Sequence, residues 1–182
     1  MAKDSPYVAD HIVEVIYTEQ ALRERVQDLG AQITADYVGR ELLLVGVLNG
    51  VMLFMADLVR AITLPVRVDF MAISHYRSGT GGGVRITKDL DAPIAGKHVL
   101  FVEDVIDTGL TINYFQRALA TRRPASLEVC CLFDRPYRRL VDIPVTYRGF
   151  ELPDRFVVGY GLDSKGLYRN LPFVGVLAPD QD

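Results

Sequence analysis

A chain of 182 residues, 49% hydrophobic and 24% charged with no Trp, has ordinary globular composition and length enough for one domain, residues 1–182, with a substantial core. Its formal net charge of -3 gives no electrostatic basis for nucleic acid or an anionic membrane as a main partner. The opening "MAKDSPYVADHIVEV" lacks the charged-then-apolar order of a signal peptide.

From Thr18 onward, apolar residues recur at Leu22, Val26, Leu29, Ile33 and Tyr37. That spacing predicts a helix, with Thr18 as its N-cap and Gly39 as its stop. "LLLVGVL" follows as an apolar strand, then an Asn49-Gly50 turn and a helix over about 51–62. The run Leu42–Val59 does not read as a membrane span, because Asn49 and Gly50 interrupt it and Asp57 sits near its end. "PVRVDFMAI", 65–73, is a strand; the polar, glycine-dense stretch 74–90 after it reads as a loop. "KHVLFVED" is the next strand, "TINYFQRALA" a helix and "SLEVCCLFD" another strand. Cys130 and Cys131 are adjacent there, so their side chains point to opposite faces. They fit unpaired thiols in a reducing compartment, the cytoplasm. Two short β-like pieces follow, at 145–150 and 156–160.

Apolar strands alternating with helices predict an α/β fold, a mostly parallel sheet flanked by helices on both faces. The ends of the chain would form a small subdomain over it. In such sheets ligands bind beyond the carboxyl ends of the strands. "VLFVEDVIDTGLTI", 99–112, places Glu103, Asp104 and Asp107 at that position. Acids are rarely buried without compensation, so these are solvated loop residues, or they meet a metal or a polyhydroxylated ligand. Acids placed to match a helix dipole are a further reading. Asp107-Thr108-Gly109-Leu110-Thr111 joins strand to helix, with a glycine for the turn, two hydroxyls and the free N–H groups of a helix start. Such a bend suits a phosphate monoester. Neither a G-x-x-x-x-G-K-[ST] nor a G-x-G-x-x-G sequence occurs in the chain. Glu103 and Asp104 have acceptors suited to the vicinal hydroxyls of a ribose, directly or through a hard cation such as Mg²⁺.

An apolar strand, two acids and then D-T-G-x-T resembles the phosphoribosyl-pyrophosphate (PRPP) motif of type I phosphoribosyltransferases. "VLNG", "SHY", "KDL", "LFDRPYRR" and "PDRFVVGYGLD" occur in the order seen in hypoxanthine-guanine phosphoribosyltransferases, so the resemblance covers nearly the whole chain. It implies the type I fold, with a hood subdomain built from the chain ends. It also implies transfer of 5-phosphoribosyl from PRPP to a 6-oxopurine (hypoxanthine or guanine), giving IMP or GMP and pyrophosphate in purine salvage.

By the same resemblance, Glu103 and Asp104 hold the ribose hydroxyls, and Asp107, Thr108, Gly109, Leu110 and Thr111 hold the 5′-phosphate. Asp107 is the acid/base residue beside purine N7. Leu48, Asn49 and Gly50 form the pyrophosphate loop, and Ser74, Tyr76 and Arg169 also face pyrophosphate. Arg135, Phe156, Val157 and Asp163 surround the purine. Mg²⁺ is the implied cofactor, on Glu103, Asp104 and Asp163. Many members carry a basic residue where Asn49 stands and a lysine where Arg135 stands. The stretch 74–90 corresponds to a mobile lid, in which Gly79, Gly81, Gly82 and Gly83 make hinges easy. Members usually form homodimers or homotetramers.

Three rival readings remain to be weighed. A regulator that binds nucleotides on the same fold, with little catalysis, is the alternative nearest to an enzyme. A phospho-acceptor signalling domain needs acids on two strands, whereas here all three share one strand end. A metallohydrolase is disfavoured because His11, His75 and His98 show no ligand spacing.

Overall fold

The structure, a computed structural model, describes residues 11–78 and 81–178, with the backbone alone at 75–78 and 81–84. Nine strands and three helices follow in chain order among the described residues: β1 (Ile12–Tyr17), α1 (Glu19–Asp36), β2 (Leu42–Leu48), α2 (Met52–Ala61), β3 (Val66–Ser78), β4 (Gly81–Lys88), β5 (His98–Ile106), α3 (Leu110–Ala120), β6 (Ser126–Asp134), β7 (Tyr147–Glu151), β8 (Val157–Val158) and β9 (Val174–Leu177). A six-stranded sheet runs β4-β3-β2-β5-β6-β7, and β1-β9-β8 form a second, antiparallel sheet. In the large sheet every pairing is parallel except β3 with β4.

Helix α1 starts where the sequence places it: Thr18 Oγ1 accepts from Ala21 N at 3.2 Å. Its predicted stripe, Leu22, Val26, Leu29 and Ile33, is buried. The helix ends at a cap on Tyr37, slightly ahead of the predicted stop at Gly39, which follows with φ +74°. The strands are apolar on both faces because both are covered. Alternate residues go to different cores: Leu42, Leu44, Leu100, Val102 and Leu132 pack with α1 and α2, while Leu43, Val45, Val99, Phe101 and Val129 pack with α3. Cys130 joins the first core and Cys131 the second, both as free thiols. No helix among the described residues is long and apolar enough to cross a membrane.

Two parts of the chain differ from the sequence reading. The stretch read as a loop from Ser74 carries the end of β3 and all of β4, a hairpin paired from Ala72↔Lys88 to Ser78↔Gly81. Glycines have low intrinsic preference for strands, so this ladder rests on pairing with β3 and not on local propensity. Lys88 pins its base, donating to Phe70 O at 2.8 Å and to Asp69 Oδ1 at 3.2 Å. The hood sheet also contains strands unmarked in the sequence reading, β1 and β9. They pair antiparallel from opposite ends of the chain, Ile12 opposite Leu177.

The order of the large sheet decides where a ligand can bind. From β2 the chain crosses through α2 to β3 on one side, and from β5 through α3 to β6 on the other. The direction of travel therefore reverses between β2 and β5. Adjacent parallel strands whose following connections go to opposite faces leave a crevice at their carboxyl ends, the preferred ligand position in such sheets. Leu48 ends β2 and Ile106 ends β5, so the two motif-bearing turns meet at this crevice.

Candidate active site

A cavity of about 360 Å³ opens at the crevice. Leu48, Asn49 and Gly50 line one wall, and Glu103, Asp104, Asp107, Thr108, Gly109 and Thr111 line the other. Arg169 reaches in from the hood segment. The structure thus gathers ten of the residues singled out in the sequence around one space.

The acids differ in environment. Glu103 is 8% exposed, and burial, followed by the neighbouring Asp104 charge, holds its carboxyl well above the usual range. Burial likewise pushes Asp104 up, opposed by hydrogen bonds from the backbone N–H groups of Val105 and Asp104 and by the charge of Arg169, while Asp163 pushes the same way as burial. Asp104 Oδ1 accepts from Val105 N at 2.9 Å. A Cβ on Gly50 would fall on the Asp104 carboxylate, so only glycine lets the two turns approach this closely. The Leu48–Asn49 peptide in that turn is cis.

The bend after β5 is held by backbone. Gly109 has φ +80°, a left-handed conformation that costs glycine nothing. It caps α3 without a side-chain cap of its own, the first turn carries no acid, and Leu110 N donates to Thr108 Oγ1 at 3.4 Å. The N–H groups that follow Leu110 in the first turn of α3 remain available, with Thr108 and Thr111 beside them, as an anion site requires. Thr108 O accepts from Leu140 N at 2.9 Å, tying the bend to the segment after β6. The Leu110 side chain is 51% exposed and does not line the cavity.

Arg169 donates to Gly161 O and pairs with Asp163 at 2.8 Å. Asp163 is thus one layer behind the wall, not on it. Arg135 is also outside the lining. Its backbone N–H donates to Ile106 O at 3.0 Å, next to Asp107, and its Nη2 donates to Arg155 O at 2.9 Å. Phe156 is 44% exposed, so it is not a core residue. Val157 is buried in β8 opposite Val176. Ser74 is exposed opposite Arg85 in the hairpin and does not line the cavity, and the Tyr76 side chain lies outside the described residues.

Among the described residues no group of three or more His, Cys, Asp or Glu is placed to hold a metal. The Glu103–Asp104 pair nevertheless suits Mg²⁺, which is commonly bound by one or two carboxylates plus substrate oxygens and water. Two adjacent acids whose carboxyls burial holds above the usual range, Glu103 further raised by Asp104 and Asp104 by Asp163, are also a donor set that a cation would stabilise.

Sequence reasoning gave no role to three charged residues beside the site. Arg138 Nε is 3.1 Å from Asp107 Oδ1. Asp134, wholly buried, pairs with Arg139 and with Arg148 Nε at 2.8 Å. The three, Asp134, Arg138 and Arg139, stand in "DRPYRR", but a run of arginines does not say which acids they meet.

The phosphoribosyl transferase domain matches the chain over residues 13–165. The chain belongs to the phosphoribosyl transferase family. Curated relatives point to the same branch. The chain is 51% identical to a hypoxanthine phosphoribosyltransferase of Haemophilus influenzae, over 91% of this chain and 95% of the relative. It is 47% identical to a hypoxanthine-guanine phosphoribosyltransferase of Streptococcus agalactiae, over 91% and 93%. In three dimensions it superposes on a crystal structure of a hypoxanthine phosphoribosyltransferase from Staphylococcus aureus with a TM-score of 0.92, at 42% identity, covering 97% of each chain. The mostly parallel α/β sheet and its hood are thus those of the type I phosphoribosyltransferase fold.

Proposed function

We propose that this enzyme transfers the 5-phosphoribosyl group of PRPP to hypoxanthine, and also to guanine, releasing pyrophosphate and forming IMP or GMP in purine salvage. One observation carries the reading beyond family membership: a buried acid, Glu103, beside a half-buried one, Asp104, faces the same cavity as a hydroxyl-bearing helix start opened by Gly109. A phosphorylated sugar needs that combination, with acceptors for its vicinal hydroxyls and donors for its phosphate about one sugar apart.

In this reading Glu103 and Asp104 accept from the ribose hydroxyls, and the N–H groups and hydroxyls of the stretch Asp107–Thr111 hold the 5′-phosphate. Backbone at Leu48–Gly50, Arg169, and Ser74 and Tyr76 of the hairpin receive the pyrophosphate. The C1′–oxygen bond to pyrophosphate breaks as a purine ring nitrogen bonds to C1′, and positive charge develops on the sugar ring, where fixed carboxylates stabilise it. Asp107 holds the proton leaving purine N7. Arg135 donates to the 6-oxo group, Phe156 stacks on the base and Val157 supplies backbone hydrogen bonds. Glu103 and Asp104, with Asp163 nearby, would hold Mg²⁺, which when bound would neutralise charge on the pyrophosphate. Closing the hairpin of β3 and β4 over the site would keep water from the activated sugar. The protein acts as one domain over 1–182, in the cytoplasm, as a homodimer or homotetramer.

The test is a nucleobase panel with PRPP and Mg²⁺. Hypoxanthine and guanine are consumed, with stoichiometric pyrophosphate, and adenine is not, because an arginine donates to a 6-oxo group but accepts nothing from a 6-amino group. Adenine consumed as fast as hypoxanthine removes the role of Arg135. No turnover of any base refutes the proposed reaction.

A further inference from the structure

One oxygen of the Asp107 carboxylate is covered. Its Oδ1 is buried and accepts no aligned hydrogen bond, yet the side chain as a whole is 40% exposed. Asp107 is one of the residues that line the cavity. The covered oxygen has a partner by charge, Arg138 Nε at 3.1 Å, too poorly aligned for a hydrogen bond.

The backbone fixes this pairing. Arg138 ends a one-turn 3₁₀ helix, Pro136–Arg138, opened by a proline and closed by Arg138 N donating to Arg135 O at 3.0 Å. On one side of the turn Arg135 N is bonded to Ile106 O, at 3.0 Å, and on the other Leu140 N is bonded to Thr108 O, at 2.9 Å. The turn carrying Arg138 is thus tied to the residues on both sides of Asp107. The remaining charged and titratable groups nearby are few. Arg138 Nη1 stands 4.0 Å from Asp154 Oδ1, and the Tyr137 hydroxyl feels the charges of Arg135, Asp154, Arg138 and Asp107. A guanidinium between two carboxylates can keep contact with one while its far end is held by the other.

We propose that Arg138 is a positioning residue for Asp107: it holds one carboxylate oxygen so that the other faces the purine. A half-exposed ion pair adds little stability, so its consequence is orientation. The proposal rests on the reading that Asp107 meets the purine.

A double-mutant cycle tests it, using Arg138→Met, Asp107→Asn and both together, with Arg138→Lys as the conservative control. Turnover with hypoxanthine and binding of PRPP are measured for each. Arg138→Met should lower kcat about fivefold and leave PRPP affinity within about twofold, with Arg138→Lys keeping most of the rate. In the Asp107→Asn background the same Arg138→Met change should alter kcat by less than about twofold. An equal loss in both backgrounds, or no loss in either, overturns the positioning role while leaving Asp107 in place. Wild-type kcat for Asp107→Asn alone would instead refute the role of Asp107, and this inference with it.

Discussion

Glu103 is the residue whose environment least resembles what its type prefers: an acid, 8% exposed, beside a second acid. Burial first, and then Asp104, raises its pKa well above the usual carboxylate value, so the folded chain keeps a proton over a pH range in which the unfolded chain has lost it. Stability therefore falls as pH rises from the ordinary value, about 4.3, to the raised one. Glu103→Gln removes the ionisable group and this pH dependence with it. A Tm series from about pH 5 to pH 9 should show a decline in the wild type that is shallower in the variant, with the variant about 2–4 °C higher at the alkaline end. PRPP binding should weaken in the same protein. Identical Tm profiles would mean that Glu103 is not a stored cost of the site.

Two turns, each joining a strand to a helix, make the site, and their fit depends on one missing side chain. The turn after β2 lies on the bend after β5 where Gly50 meets the Asp104 carboxylate. A methyl group there must push the carboxylate aside, since Asp104 is short and tied to Val105 N. Gly50→Ala is expected to weaken PRPP binding at least about tenfold, with little change in Tm because the displaced group is a side-chain end on a crevice wall. Calorimetry of PRPP binding against thermal unfolding separates the two effects. Unchanged PRPP affinity would show that the approach of the turns is not needed. The β5–α3 bend was legible in the sequence because each part of it is local: apolar run, acids, glycine, hydroxyls. The β3–β4 hairpin was not, since its glycines carry no strand signal and its ladder is set by β3.

At the scale of the molecule, the end of β6 holds a buried charge network. Asp134 is 0% exposed and pairs with Arg139, whose side chain is 14% exposed, and with Arg148. Asp134 Oδ2 and Arg139 Nη1 both lack an aligned hydrogen bond, and Arg139 Nη1 lies close to Gly109 of the phosphate bend. The network thus joins β6, β7 and the bend after β5. Asp134→Asn leaves two arginines without their anion, one of them mostly buried, and should cost about 3 kcal/mol in urea unfolding. A loss below about 1 kcal/mol would show that the arginines find other partners or solvent. The hood belongs to this scale as well, because β1 and β9 come from opposite ends of the chain. Tyr160 Oη, donating to Asp57 Oδ2 at 2.5 Å, ties the loop after β8 to α2.

The sequence alone determined the alternation of strand and helix, the α1 cap at Thr18, the opposed cysteines and the acid-rich bend, because each follows from spacing within a few residues. Only the tertiary structure decided which acid is buried, which arginines meet Asp107 and Asp134, and that Asn49 and Asp107 line one cavity. Burial and charge pairing are set by contacts between residues far apart in the chain. The order of strands β3-β2-β5-β6, which opens the crevice, is likewise a property of how the elements pack.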